Sequence, residues 1–208
     1  MKTNDLIRVL ALDGVVSQPP QARLVWLFPA LAIGFVALWG QLGLRDDLGA
    51  ALVTPVSAMR IVLSLSLGAL ALWAGMHLSR PGGRARFWPL ALVALVAGAL
   101  WLWAFAKVPA DGRQMAIVGK TMVGCLTTIP LLALLPTAAI LAALRLGAAT
   151  QPGLAGAMAG LAGGGLAAAV YAMHCTEDSP LFYVTWYGTA ILAVSALSAL
   201  IGARLLRW

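Results

Sequence analysis

Six apolar stretches, each about as long as a helix that crosses a bilayer, leave this chain little freedom to be anything but a helical membrane bundle. They run over roughly Leu24–Gln41, Met59–Leu78, Trp88–Ala106, Met122–Leu144, Gly153–His174 and Val184–Ala203. A bilayer's hydrocarbon core takes about 20 apolar residues of helix. No water reaches the backbone there, so each span must satisfy its own peptide groups. Only 10% of the 208 residues are charged, against about 25% in a soluble domain. The expected fold class is all-α, a six-helix transmembrane bundle with a short N-terminal segment and no room for a soluble catalytic domain. The first span ends in Val36-Ala37-Leu38-Trp39-Gly40-Gln41, which lacks a small-x-small cleavage site. It reads as a retained span, not a signal peptide.

Charge sets the expected orientation, because loops on the cytoplasmic side carry the excess of lysine and arginine. With the N-terminus in the cytoplasm, that side holds Lys2, Arg8, Arg23, Arg80, Arg84, Arg86, Arg145, Arg204 and Arg207, with Asp5 and Asp13. The opposite side holds Arg45, Arg60, Lys107, Arg113 and Lys120, matched by Asp46, Asp47, Asp111, Glu177 and Asp178. The whole net charge of +7 therefore falls on one face. It is a topology signal, not a nucleic-acid signal, and both termini are expected to be cytoplasmic.

The most distinctive stretch runs from Gly153 to Gly188. Gly156, Gly160 and Gly164 recur at every fourth position, and Ala168 and Ala172 continue the stripe. Bare positions at that spacing let two helix backbones approach closely in lipid. Tyr171 and Cys175 share a face at the end of this helix, with His174 beside them. Glu177, Asp178, Ser179 and Pro180 are then expected to stop the helix and form a polar turn.

Other features are weaker. Residues 1–23 suit a short amphipathic helix capped by Thr3 or Asn4, with Leu6, Val9 and Leu10 on one face, Gly14 as its stop and Pro19-Pro20 as a stiff tether. Such a segment lies on lipid or folds on a partner. Arg45-Asp46-Asp47 reads as a solvated turn, and Thr54-Pro55 as a helix start. Pro130 and Pro136 should kink the fourth span, with Thr127 and Thr128 near enough to satisfy the freed backbone groups. Most of the eight tryptophans lie toward span ends, as an aromatic belt requires.

Chemistry is sparse. The two cysteines, Cys125 and Cys175, both fall at the outer rim under this topology. They read either as a disulfide, if their Cα atoms come within about 7 Å, or as soft ligands, with His174, for a thiophilic metal ion. The third alternative is that they are simply small apolar packing residues. Lys120 stands near enough in sequence to lower a thiol pKa. No phosphate loop, HExxH or nucleophile elbow is present, so no enzyme activity and no required cofactor are expected. No predicted span carries a central acid, which argues against a proton-coupled pump.

The opening Met1-Lys2-Thr3-Asn4-Asp5-Leu6-Ile7, the six spans, and Tyr171-Ala172-Met173-His174-Cys175-Thr176-Glu177-Asp178-Ser179-Pro180 before Phe182 and Trp186-Tyr187 resemble the NrsF-like family. These are bacterial inner-membrane anti-sigma factors that restrain extracytoplasmic-function sigma factors. The resemblance implies that residues 1–23 are a cytoplasmic sigma-binding segment and residues 24–208 a six-span domain. It also implies that Cys125 and Cys175 form an outward-facing pair that takes part in sensing stress. The expected mechanism is that a metal ion or an oxidant acts on the pair and shifts the fourth and fifth spans along the glycine interface. On physical grounds Leu6, Ile7, Val9 and Leu10 are the expected sigma-factor contacts. A small transporter or channel is the second reading, testable by solute flux. A thiol-disulfide membrane enzyme is the third, testable by turnover with a quinone or thiol substrate.

Overall fold

The computed structural model describes residues 20–207 together with Ile7, and among these residues every regular element is a helix. A single turn, α1 (Pro20–Arg23), runs through a 3-10 turn at Leu24–Trp26 into α2 (Leu27–Leu42). The short α3 (Leu48–Val53) leads to α4 (Pro55–Leu78) and then α5 (Trp88–Lys107). Next come the short α6 (Arg113–Val118), then α7 (Met122–Leu144), α8 (Pro152–Tyr171) and α9 (Pro180–Leu205). Six helical stretches are long and apolar enough to cross a membrane. Their outward side chains, Phe28, Leu95, Leu131, Leu192 and Leu200 among them, are well exposed, as a lipid-facing surface requires. Of the expected sigma contacts, Leu6, Val9 and Leu10 lie outside the described residues, and Ile7 is exposed.

Prolines start these helices more often than they stop them. α4, α5, α8 and α9 each have proline in their first two positions, where its missing N–H costs nothing and its fixed φ suits the helix. Pro180 is thus a correction to the sequence reading. It opens α9 after an extended Ser179, while α8 has already ended at Tyr171. Pro130 and Pro136 sit inside α7, which remains one helix. Thr127 Oγ1 donates to the carbonyls of Val123 and Gly124 at 2.8 and 3.3 Å, not to the carbonyl that Pro130 leaves without its N–H, four residues back at Leu126.

The core is built around α8, which packs on α9, α4 and α7 and touches α2. Successive residues of a helix turn by about 100°, so Gly163, Gly164 and Gly165 face three different neighbours. A Cβ at Gly163 would stand 2.8 Å from the backbone nitrogen of Thr137 on α7; one at Gly164, 3.3 Å from Ile191 Cα on α9; one at Gly165, 2.8 Å from the backbone nitrogen of Gly68 on α4. Gly156 and Gly160 share the α9 face with Gly164, where a Cβ at Gly160 would meet Ser195 Cα at 2.6 Å. The stripe therefore packs on the last span, and the expected glycine interface between the fourth and fifth spans is made by Gly163 instead. The outer helices are held more loosely. α5 lies against α4 and α9, and α2 rests on α7 through Ala30, Gly34 and Leu38.

Candidate functional site

The segment from Ala172 to Ser179, between α8 and α9, is where one rim of the bundle comes together. The last turn of α8 continues past its formal end, with Cys175 N donating to Tyr171 O at 3.1 Å. That turn carries Cys175 inward, where it is buried in the same apolar cluster as Cys125, Tyr171, Phe182 and Tyr187. Cys125 lies in the first turn of α7, and both thiols are free. The Tyr171 hydroxyl stands 3.7 Å from Cys125 Sγ, and Thr121 Oγ1 3.8 Å from Cys175 Sγ.

These neighbours make the two sulfurs unequal. Hydrogen bonding from Cys125 holds the Cys175 thiol below its ordinary pKa against the opposing effect of burial, with help from the Glu177 backbone N–H, Tyr187 and Thr121. Donors aimed at a sulfur favour its thiolate. A small alkylating reagent on the reduced protein is therefore expected to label Cys175 before Cys125. Peptide mass spectrometry over a time course checks this, and equal labelling would contradict it.

His174, the expected third soft ligand, is engaged elsewhere. Its Nδ1 lies 3.0 Å from the carbonyl oxygen of Gly43, which can only accept, so Nδ1 carries the proton in this contact. Among the described residues, no three His, Cys, Asp or Glu side chains gather closely enough to hold a metal ion.

Beside the thiols lies a cluster that sequence reasoning missed. Arg45, read as part of a solvated turn, is buried: its side chain is only 2% exposed. It pairs with Asp47 at 2.6 Å and with both carboxylate oxygens of Asp178 at 2.9 and 3.1 Å. It also donates to the Cys175 carbonyl at 3.2 Å. Arg60, counted as a rim charge, is instead the sixth residue of α4 and 1% exposed. It pairs with Asp178 at 3.1 Å and donates to the Glu177 carbonyl at 3.1 Å. Two arginines are thus balanced by two aspartates, as buried charges must be. Further contacts enclose the segment, with Lys120 N donating to Glu177 Oε1 and Trp186 Nε1 to Ile117 O.

Both aspartates respond to this setting. Arg45 holds the exposed Asp47 below the ordinary carboxylate range. For Asp178, burial favours the neutral acid, but hydrogen bonds from Arg45 and Ser57 and the charges of Arg60 and Arg45 together outweigh it. A depressed carboxylate pKa contributes stability above the unfolded value, about 3.9, and loses it as pH falls through the folded value. Thermal stability in detergent is expected to fall below about pH 4 as these carboxylates take up protons. The fall should be smaller in Asp178→Asn. A profile identical in the two proteins would contradict the assignment.

The family described as "Negative regulator of sigma F" matches residues 12–208, a region that contains both cysteines and the whole charge cluster. A "Probable anti-sigma-F factor NrsF" of Azospira oryzae is 36% identical over 220 residues, covering all of both chains. An "Anti-sigma-F factor NrsF" of Caulobacter vibrioides is 35% identical over 216 residues, again covering all of both. No solved structure matches this chain. A family match through nearly the whole chain, with two relatives aligned from end to end, leads to one conclusion: the chain belongs to the NrsF family of anti-sigma-F factors.

Proposed function

We propose that the protein is a membrane-embedded anti-sigma factor. Its N-terminal segment, residues 1–23, holds a sigma factor of the extracytoplasmic-function class at the cytoplasmic face. Its Cys125–Cys175 pair, at the opposite rim, receives the signal that releases that factor. Family membership supports the sigma-factor partner, since both relatives are named for restraining sigma F. The orientation follows from charge: Arg23, Arg80, Arg84, Arg86, Arg145, Arg204 and Arg207 fall at the end of the bundle away from the thiols.

The observation that carries the sensing role is the meeting of the two thiols, 50 positions apart in the chain, in one buried cluster at one rim. Two chemistries suit such a pair. A two-electron oxidant joins the sulfurs as a disulfide, taking two electrons and releasing two protons. A thiophilic cation takes both as thiolates, again displacing two protons. Either product couples to the inner face only if it favours one helix arrangement over another.

The tail is tested with the full-length protein in detergent, using the same bacterium's sigma F as ligand. The native chain is expected to retain the sigma factor, and Leu6→Asp/Leu10→Asp to lose at least tenfold in affinity. Equal retention by both would remove the tail from the binding site. No retention by either would remove the anti-sigma reading and favour a transporter, which solute flux would reveal.

A further inference from the structure

We propose that Arg45 is the residue through which a change at Cys175 reaches α2 and, through α2, the N-terminal segment. The inference rests on the anti-sigma reading above and supplies the connection between its two ends.

α2 is held by apolar packing along its length and by polar contacts at one end. Its buried face is one narrow stripe of small and apolar residues, Ala30, Gly34 and Leu38, resting on α7. At the thiol rim Leu38 is buried in the apolar cluster that holds both cysteines, and the polar contacts that add direction to this packing reach the segment that carries Cys175. Arg45 N donates to Met173 O at 3.1 Å, His174 Nδ1 to Gly43 O at 3.0 Å, and Arg45 Nη1 to Cys175 O at 3.2 Å. The Arg45 guanidinium grips Asp178 with two nitrogens. The loop after α2 is therefore bonded to residues on both sides of Cys175 and to its own carbonyl.

Joining the sulfurs disturbs this arrangement. A disulfide fixes them at about 2.05 Å, far inside non-bonded contact, and the closure is shared between rotation of the two side chains and movement of the Cys175 main chain toward α7. A displacement of about 1 Å takes a hydrogen bond at the long end of its range out of bonding distance. The 3.2 Å contact from Arg45 to the Cys175 carbonyl is the one placed to break first. Arg60 ties the same segment to α4 through Glu177 O and Asp178, so the segment keeps one anchor while its hold on α2 loosens. From Pro20 to Leu42 the chain is helical throughout, and so moves as a rod attached to the tail. Arg45 is in this sense a positioning residue, because it acts on the partner only through α2.

The test uses the full chain in nanodiscs with sigma F as the probe, and diamide as the thiol oxidant. Diamide takes two electrons and two protons from Cys125 and Cys175, forming the disulfide and becoming the hydrazine. In the native protein, diamide is expected to speed amide exchange in residues 43–47 at least tenfold and to release sigma F. Arg45→Met is expected to show the fast exchange and tenfold weaker retention while both thiols are still reduced. Arg45→Lys, which keeps the charge but not the fork, should fold and fall between the two. Glu177→Gln, which alters the contact to Lys120 alone, should behave as the native protein. Native retention and native diamide response in both Arg45 variants would overturn the role of Arg45 while leaving the anti-sigma reading intact. Failure of the native chain to bind sigma F would overturn both.

Discussion

Asp178→Ala is expected to destabilise the bundle more than any other single change at the thiol rim, by about 3 kcal/mol. Among the described residues, the Asp178 carboxylate is the one that pairs with both buried arginines, at 2.9 Å from Arg45 and 3.1 Å from Arg60. Its own desolvation is partial, because 39% of its side chain remains exposed. The arginine side chains, at 2% and 1%, have no water to fall back on. Removing the acid leaves Arg60 facing the low-dielectric interior with the Glu177 carbonyl as its one remaining partner among the described residues, and it is this unpaired cation that costs most. For a chain of this length the loss corresponds to a fall in melting temperature of about 6–12 °C. Asp178→Asn should cost less, since its one amide oxygen can still accept from both guanidiniums. Thermal unfolding in detergent decides the matter, and an unchanged midpoint for Asp178→Ala would show that the arginines are solvated.

Gly160→Ala should also destabilise the protein, although alanine is the better helix former by about 1 kcal/mol. The added carbon would stand 2.6 Å from Ser195 Cα and 2.7 Å from Val194 O. These are backbone atoms of α9 that no rotamer change can move. The two helices must separate, at a cost of about 1–3 kcal/mol beyond the propensity gain. Gly188→Ala makes the control, because nothing lies within 4 Å of a Cβ there. It should leave stability unchanged or raise it by up to about 1 kcal/mol. If both substitutions gave the same melting temperature, close packing of α8 on α9 would be wrong.

What the sequence could and could not disclose follows from how far each interaction reaches along the chain. The six spans were legible because apolarity is a local property, summed over about 20 neighbouring residues. Gly156, Gly160 and Gly164 announced a tight interface, but their spacing says nothing about which helix fills it. The run Gly163-Gly164-Gly165 held the better clue, since three bare positions 100° apart require three close neighbours. Pro180 was misread because proline after a polar run suits both the end of one helix and the start of the next. The charge cluster stayed hidden because Arg45 and Asp178 are 133 positions apart. Arg60 did leave a signal: a lone arginine within the first turns of an apolar helix must find a partner or a wet cavity. At the thiols, the sequence placed Cys125 and Cys175 at one rim. Their unequal surroundings come from Thr121, Tyr171 and Tyr187, contributed by three elements.

The most direct test of the account is release of bound sigma F from the full-length protein in nanodiscs during titration with diamide and, separately, with Cd²⁺. The native chain should release the sigma factor in at least one titration. Cys125→Ser/Cys175→Ser should bind it equally well and hold it throughout both. Release from the double variant at the same dose as from the native chain would place the sensor elsewhere and contradict the account.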